Sequence, residues 1–251
     1  MREKIRNIFQ KSVVFFDVDS TLVKIEGLDA LGRRKNIGEQ VANLTKRAMN
    51  GELPNEQVME GKMRLLSPSQ KDMATLAQEY LANMVDDAPE VVHYLQKAGI
   101  SVGIITGNFH PAVDPLAKAL GIKRRNVYAN PMYFDAQGNY RGYDQNHPLI
   151  NKGGKAKVVQ QLRSRYKSIT MVGDAKTDLE TKPYVNIFIG FGEVERRSIV
   201  ENEANIYVAS ESLAPVLLYV LPRRALQRMA YAPLIQKARL EDKKTLSHMH
   251  L

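Results

Sequence analysis

The chain has no cysteine in its 251 residues. That excludes disulfides and thiolate metal sites and allows a reducing compartment. Long apolar runs are missing too: the longest, Leu213 to Leu221, has nine residues, against the ~20 of a membrane-spanning helix. Met1-Arg-Glu-Lys-Ile-Arg6 lacks the apolar centre of a secretion signal, so a cytoplasmic protein is expected. There is no internal repeat and no low-complexity segment. Positive charge is not spread evenly. The net charge is +9, yet residues 222–251 hold seven Lys/Arg against two acids and so carry five of the nine. This argues against a nucleic-acid surface over the whole chain and fits an anionic ligand in a cleft beside a separately basic tail. The length suffices for one large domain, or for a core with a smaller insert.

What is present is organised around Val13-Val14-Phe15-Phe16-Asp17-Val18-Asp19-Ser20-Thr21. Four apolar residues in a row predict a strand buried on both faces, as in a parallel sheet. Asp17 and Asp19 follow where that strand would end, and buried carboxylates need cations or hydrogen-bond donors. In an open α/β sheet ligands collect at the carboxyl ends of the strands, so the pair reads as a cation or phosphate site. It reads equally as a strand leaving the core into an Asp-Ser-Thr turn or helix cap. These nine residues alone do not decide between the two.

Further along, apolar and polar residues alternate at helical spacing over 24–86, giving three or four helices with Pro54 and Ser67-Pro68 as breaks and no strand between them. Pro89 opens a helix that Gly99 stops, and Ile100 to Ile105 is a second buried strand ending in Thr106-Gly107-Asn108. A helix over 113–120 follows. Val127 to Phe134 and Tyr140 to Tyr143 flank a hairpin turn. A helix over 154–165 leads to a third strand, Ser168 to Val172, ending in Gly173-Asp174, and Val185 to Ile189 and Ile206 to Val208 complete the set. This alternation predicts an α/β fold, a doubly wound parallel sheet, with the all-helical stretch inserted after the first strand as a lid. The expected organisation is a core of 1–23 and 87–221, a cap of 24–86 and a basic tail of 222–251.

Three strands thus end in groups that make sense together: Asp17 and Asp19, Thr106-Gly107-Asn108, and Asp174 with Asp178 a turn later. Acids sharing one crevice repel one another. A divalent ion resolves this, and all-oxygen ligands suit Mg²⁺. Asn151-Lys-Gly-Gly-Lys155 supplies lysines beside them, Lys152 reading as solvated. It is not a phosphate-binding loop of the Walker type, since Leu149 stands at the first glycine and Ala156 at the Ser/Thr.

Asp17-Val-Asp-Ser-Thr21, a strand ending Thr106-Gly107, Lys155, and Gly173-Asp174 with Asp178 together resemble the haloacid dehalogenase superfamily and, within it, the phosphoserine phosphatases. Glu26-Gly-Leu-Asp29, Lys46-Arg-Ala-Met49 and Ile187 to Gly192 extend the resemblance over roughly residues 10–215. It implies a Mg²⁺-dependent phosphomonoester hydrolase that forms an aspartyl-phosphate and serves serine biosynthesis. By it, Asp17 is the nucleophile and Asp19 the general acid and base. Thr106, the Gly107 amide and Lys155 hold the phosphoryl group. Asp17, Asp19 (through its backbone carbonyl), Asp174 and the outer-sphere Asp178 serve the metal. Glu26, Met49, Asn50, Lys62, Arg64, Gly107, Asn108 and Thr177 are the expected substrate contacts.

The departures fall on substrate recognition. Lys62 stands where the family places an arginine for the serine carboxylate, with Arg64 two residues on, and lysine cannot reproduce a bidentate fork. Asn55 replaces a cap aromatic, and Asn108 and Lys176 replace small residues. Another small phosphomonoester, or a phospholipid head-group approached through the tail, is the alternative substrate. A non-catalytic protein on the same fold would lack Asp17 or Asp19, and both are present. The tail mixes basic residues with Leu226, Met229, Tyr231, Leu234 and Ile235. It reads as a helix docked on the domain or on a second copy, or as peripheral contact with anionic lipid. A monomer or homodimer acting on a small phosphorylated substrate, without nucleic acid, is expected.

Overall fold

The computed structural model describes residues 12–49 and 52–249. Its centre is β1 (Ser12–Phe16), whose side chains alternate between two apolar layers. Val14 and Phe16 enter one layer, and Val13 and Phe15 the other. Burial on both faces is what a continuous apolar run achieves inside a parallel sheet.

After β1 the chain makes one tight turn, with the Leu22 and Val23 amides bonding to the Val18 carbonyl, and enters the insert. Among the described residues the insert holds α1 (Gly27–Arg34), α2 (Gly38–Met49), α3 (Asn55–Leu66) and α4 (Gln70–Ala82). A capping box of Ser69 and Asp72 starts α4. The two connections of the insert are stitched together: the Lys24 amide bonds to the Asn83 carbonyl and the Val85 amide to that of Leu22. Val41, Met63, Leu66, Met73, Leu76 and Tyr80 bury the inner faces of these helices against one apolar cluster.

The chain then returns to the sheet through α5 (Ala88–Lys97), β2 (Ser101–Phe109), α6 (His110–Ala119) and β3 (Val127–Asn130). β2 runs on past the apolar run to Phe109, because Phe109 re-enters the core and keeps Thr106 to Asn108 extended. The expected single strand from Val127 to Phe134 divides at Pro131, which has no N–H for a ladder. Its second part, β4 (Met132–Phe134), pairs with β5 (Tyr140–Tyr143) as a separate antiparallel ribbon. α7 (Gly154–Leu162), β6 (Ser168–Gly173), α8 (Lys176–Leu179), β7 (Ile187–Phe191), α9 (Ser198–Glu203) and β8 (Ile206–Val208) follow.

Among the described residues the main sheet is six-stranded and wholly parallel, in the order β3-β2-β1-β6-β7-β8. The chain winds outward from β1 in one direction and then from β6 in the other. The switch point therefore lies between β1 and β6, where such sheets bind ligands.

The basic C-terminal segment forms α10 (Val216–Val220), α11 (Arg223–Arg228) and α12 (Pro233–Met249). Leu234, Ile235 and Ala238 of α12 are buried in the same cluster as the insert and α5. Lys237 pairs with Asp87 at 2.6 Å, and the Tyr219 hydroxyl donates to Asp242. This helix is docked on its own chain. Among the described residues no helix is long and apolar enough to cross a membrane.

Candidate active site

The parallel register decides which side chains meet. Phe16 stands opposite Ile104 of β2 and Val172 of β6, so Asp17, Thr106 and Asp174 leave the same end of three adjacent strands. The Asp17 amide still bonds to the Val172 carbonyl at 3.0 Å, which fixes its carboxylate at the switch point. Lys155, in the first turn of α7, reaches both Asp17 (2.8 Å) and Asp178 (2.7 Å). Gly154 lets that turn approach, since a Cβ there would lie 1.9 Å from the Pro148 carbonyl oxygen. Burial opposes the charge on Lys155, but the carboxylates of Asp17 and Asp178 outweigh it and hold the ammonium above its ordinary pKa.

Asp17, Asp174 and Asp178 are all buried, and one oxygen from each can be chosen so that all lie within 4.8 Å of one another. Burial, followed by the charges of Asp178 and Asp17, pushes Asp174 well above the usual carboxylate range. Burial and Asp17 raise Asp178 to about 7. Asp17 Oδ1 is enclosed and has no hydrogen-bond partner. An orphaned buried carboxylate oxygen on a residue clustered with two further acids fits a hard divalent cation with oxygen ligands, which would satisfy the acceptor and relieve the repulsion. Asp178 is tucked beside Gly173, where a Cβ would come within 2.3 Å of its Cγ. Its other oxygen accepts from the Ala175 amide at 3.1 Å, so it holds Lys155 and the turn together.

Asp19 points a different way from this cluster. Its Oδ2 accepts from the Gly27 amide at 3.0 Å and from Asn108 Nδ2 at 2.8 Å, and its Oδ1 from the Tyr80 hydroxyl at 2.8 Å. Burial, then Glu26 and Asp17, raise its pKa to about 7. Asn108, expected against the substrate, lies with its amide on Asp19. Thr106 is buried, and its Oγ1 accepts from the Asn108 amide at 3.2 Å. Gly107 is half-exposed, and Asn130 Nδ2 holds its carbonyl at 2.6 Å.

The remaining expected contacts divide. Glu26 stands at the mouth of the crevice, accepting from Ser20 Oγ at 2.9 Å, and burial raises its pKa against the opposing pull of Ser20, Arg197 and Lys62. Thr177 is half-buried between exposed Lys176 and Asp178. Lys62 is buried and already paired with Asp29 at 2.8 Å, whose oxygens also accept from Thr45 at 2.9 and 3.1 Å. Arg64 is not brought to the site. Two positions along a helix is about 200° of rotation, so with Lys62 inward Arg64 is exposed, in a groove with Glu39, Gln40 and Asn43. Asn50 lies outside the described residues, as does the side chain of Met49.

Haloacid dehalogenase-like hydrolase is the family whose model matches, over residues 11–181. The chain belongs to that family. It is 35% identical over 208 residues to the phosphoserine phosphatase of Bos taurus, covering 82% of this chain and 92% of the relative. It is 37% identical over 204 residues to that of Drosophila melanogaster, with 80% and 76% covered. Among solved structures, a phosphoserine phosphohydrolase-like protein from Francisella tularensis superposes with a TM-score of 0.73 at 21% identity, over 84% of this chain and all of the other. A phospho-aspartyl intermediate analogue of phosphoserine phosphatase gives 0.71 at 24%, over 84% and 99%. These superpositions bear on the fold.

Membership in the family, together with phosphoserine phosphatases as 34–37% identical relatives, makes the chain a phosphomonoester hydrolase and leaves its substrate to the site. Two residues of this site carry no clear signal in the sequence. Arg197 follows β7, and its Nε donates to Asp174 Oδ2 at 2.9 Å while its other end lies 3.5 Å from Glu26. A basic residue in a loop at the carboxyl end of a buried strand is the signal that could have found it. Tyr80 gave none, since on α4 it has the spacing of an ordinary core residue.

Proposed function

We propose that this chain is a Mg²⁺-dependent phosphatase of small phosphomonoesters, with O-phosphoserine as substrate and Asp17 as nucleophile. The observation that carries this reading is the meeting of Asp17, Lys155, Asp174 and Asp178 at the switch point, with one Asp17 oxygen orphaned. Asp17 attacks phosphorus to give an aspartyl-phosphate. Asp19 protonates the leaving alkoxide and then deprotonates the hydrolytic water, a role that a pKa of about 7 suits. Thr106, the Gly107 amide and Lys155 hold the phosphoryl oxygens in line with Asp17. Asp178 keeps Lys155 in place. Asp17, Asp174 and the backbone carbonyl of Asp19 would hold the Mg²⁺. When bound, that ion neutralises carboxylate and phosphoryl charge that would otherwise repel.

The insert, residues 24–86, acts as a cap over the crevice and excludes water from the phosphoryl group. Glu26 takes the substrate ammonium and Lys62 its carboxylate. The pairing of Lys62 with Asp29, whose oxygens Thr45 also holds, favours a second reading, in which the cap accepts a phosphomonoester without a carboxylate.

A panel of phosphomonoesters assayed with Mg²⁺ separates the two. Phosphoserine should exceed in kcat/KM both glycerol phosphate and ethanolamine phosphate by at least about tenfold, the weight of one charge-assisted contact. Equal turnover of all three would transfer the substrate to the second reading, and no turnover of any would overturn both.

A further inference from the structure

An ionised carboxyl group has about four lone-pair sites for hydrogen bonds. On Asp19 three are occupied. Gly27 N–H and Asn108 Nδ2 share Oδ2, and the Tyr80 hydroxyl takes one side of Oδ1. A proton on Oδ2 would face two donor hydrogens. The remaining site, on Oδ1, is the one that can receive and release a proton.

Tyr80 is fully buried, and the Asp19 carboxylate is the partner of its hydroxyl. The chain leaves room for it deliberately at α1, where the Cβ of any residue other than glycine at position 27 would lie 2.1 Å from that hydroxyl oxygen. Gly27 therefore does two things: it donates its amide to Asp19 and it clears the path for a second donor. Both come from the ends of the insert, Gly27 at the start of α1 and Tyr80 at the end of α4, while Asn108 comes from β2.

We infer that Tyr80 is a positioning residue of the reaction: from the insert, its hydroxyl fixes the Asp19 rotamer and confines the travelling proton to the open side of Oδ1. The inference rests on the reading of Asp19 as acid and base. In the first half-reaction the Asp17 oxygen bonds to phosphorus, the bond from phosphorus to the alcohol oxygen breaks, and the proton on Oδ1 passes to that oxygen. In the second, water bonds to phosphorus, Oδ1 takes the proton of the water, the bond to Asp17 breaks and inorganic phosphate leaves. Asp19 ends protonated as it began. Without the hydroxyl, Oδ1 has two open sides and the side chain one fewer restraint.

The test uses Tyr80→Phe, which removes one oxygen from a ring that stays packed. Two substrates are compared, phosphoserine, whose alkoxide must be protonated, and 4-nitrophenyl phosphate, whose leaving group departs without a proton. Phosphoryl transfer to the enzyme is followed in single turnover. Transfer from phosphoserine should slow by about ten- to a hundredfold, a fraction of what a general acid supplies. Transfer from 4-nitrophenyl phosphate should slow by less than about threefold, with KM for both within about twofold. Gly27→Ala, which pushes the hydroxyl off Asp19 from the other side, should give the same split. Equal slowing of both substrates, a change confined to KM, no change at all, or loss of the folded state in both variants would each overturn the inference. Failure of the wild-type protein to release phosphate from either substrate would instead overturn the underlying reading of the site.

Discussion

The carboxyl end of the sheet and the helical insert use charged residues in opposite ways. At the sheet, acids outnumber cations. Asp17, Asp174 and Asp178 crowd within 4.8 Å of one another against Lys155 and Arg197, and an oxygen of Asp17 is left without a partner. In the insert the charges are closed on each other: Lys62 on Asp29, with Thr45 on both oxygens of that carboxylate. Unbalanced, buried negative charge stores binding capacity for a cation, which relieves the repulsion and with Lys155 makes room for an anionic phosphoryl group. A closed pair stabilises the insert's own packing and must be loosened before it can recognise a ligand. On the proposed reading, the chemistry is built into the core and the selectivity into a region that gives up contacts to exercise it.

The sharpest way to break this comparison is Asp17→Asn. Turnover should fall by at least about a thousandfold, ~4 kcal/mol of barrier, while the protein still folds, because the amide keeps its backbone bond to Val172. Activity within about tenfold of wild type would place the nucleophile elsewhere.

Next in size is the response of stability to pH and metal. Burial and the neighbouring acids raise Asp19 and Asp178 to about 7 in the folded state, from an ordinary carboxylate value of 3.8. A raised carboxylate pKa means that the folded state holds protons the unfolded state has released. These groups thus remove stability as pH rises from about 4 to about 7. A cation held by the acid cluster competes with the protons on Asp178 and Asp174. The gap in melting midpoint between Mg²⁺-saturated and metal-free protein should widen across that window, and a constant gap would deny that the acid cluster is the cation site.

The sheet end was legible for a physical reason. Val13 to Phe16 can only be a strand buried on both faces, and parallel register then carries Asp17, Thr106 and Asp174 to one crevice whatever the rest of the chain does. Lys155 and Asp178 follow because each sits within a turn of such a strand or of its crossover helix. Helix packing offers no comparable ruler. Lys62 and Arg64 are two residues apart, and only the packing of α3 tells which one faces inward. Tyr80 and Asn108 looked like a core residue and a substrate contact; both donate to Asp19. Arg197 reaches Asp174 from a loop whose path no periodicity describes. The expected 127–134 strand splits at Pro131, which has no N–H for a ladder.

The smallest expected effects sharpen the comparison within the insert. Lys62→Arg should lower KM for phosphoserine about fivefold by supplying a two-pronged donor, ~1 kcal/mol, and leave a carboxylate-free phosphomonoester unchanged. Arg64→Ala should alter neither by more than about twofold, since its side chain lies on the outer surface. A specificity change on Arg64→Ala in place of Lys62→Arg would reverse the assignment of the inward face.

On the proposed mechanism the buried Asp17 carboxylate becomes phosphorylated. Asp19→Asn protein mixed with Mg²⁺ and 4-nitrophenyl phosphate, then quenched in acid and digested, tests it directly by peptide mass spectrometry. That leaving group needs no proton, so the first step proceeds while the hydrolytic water lacks its base. A phosphorylated peptide containing Asp17 should accumulate within the first turnover. Rapid release of 4-nitrophenol with no phosphorylated peptide, or with the phosphate on a residue other than Asp17, would contradict that mechanism.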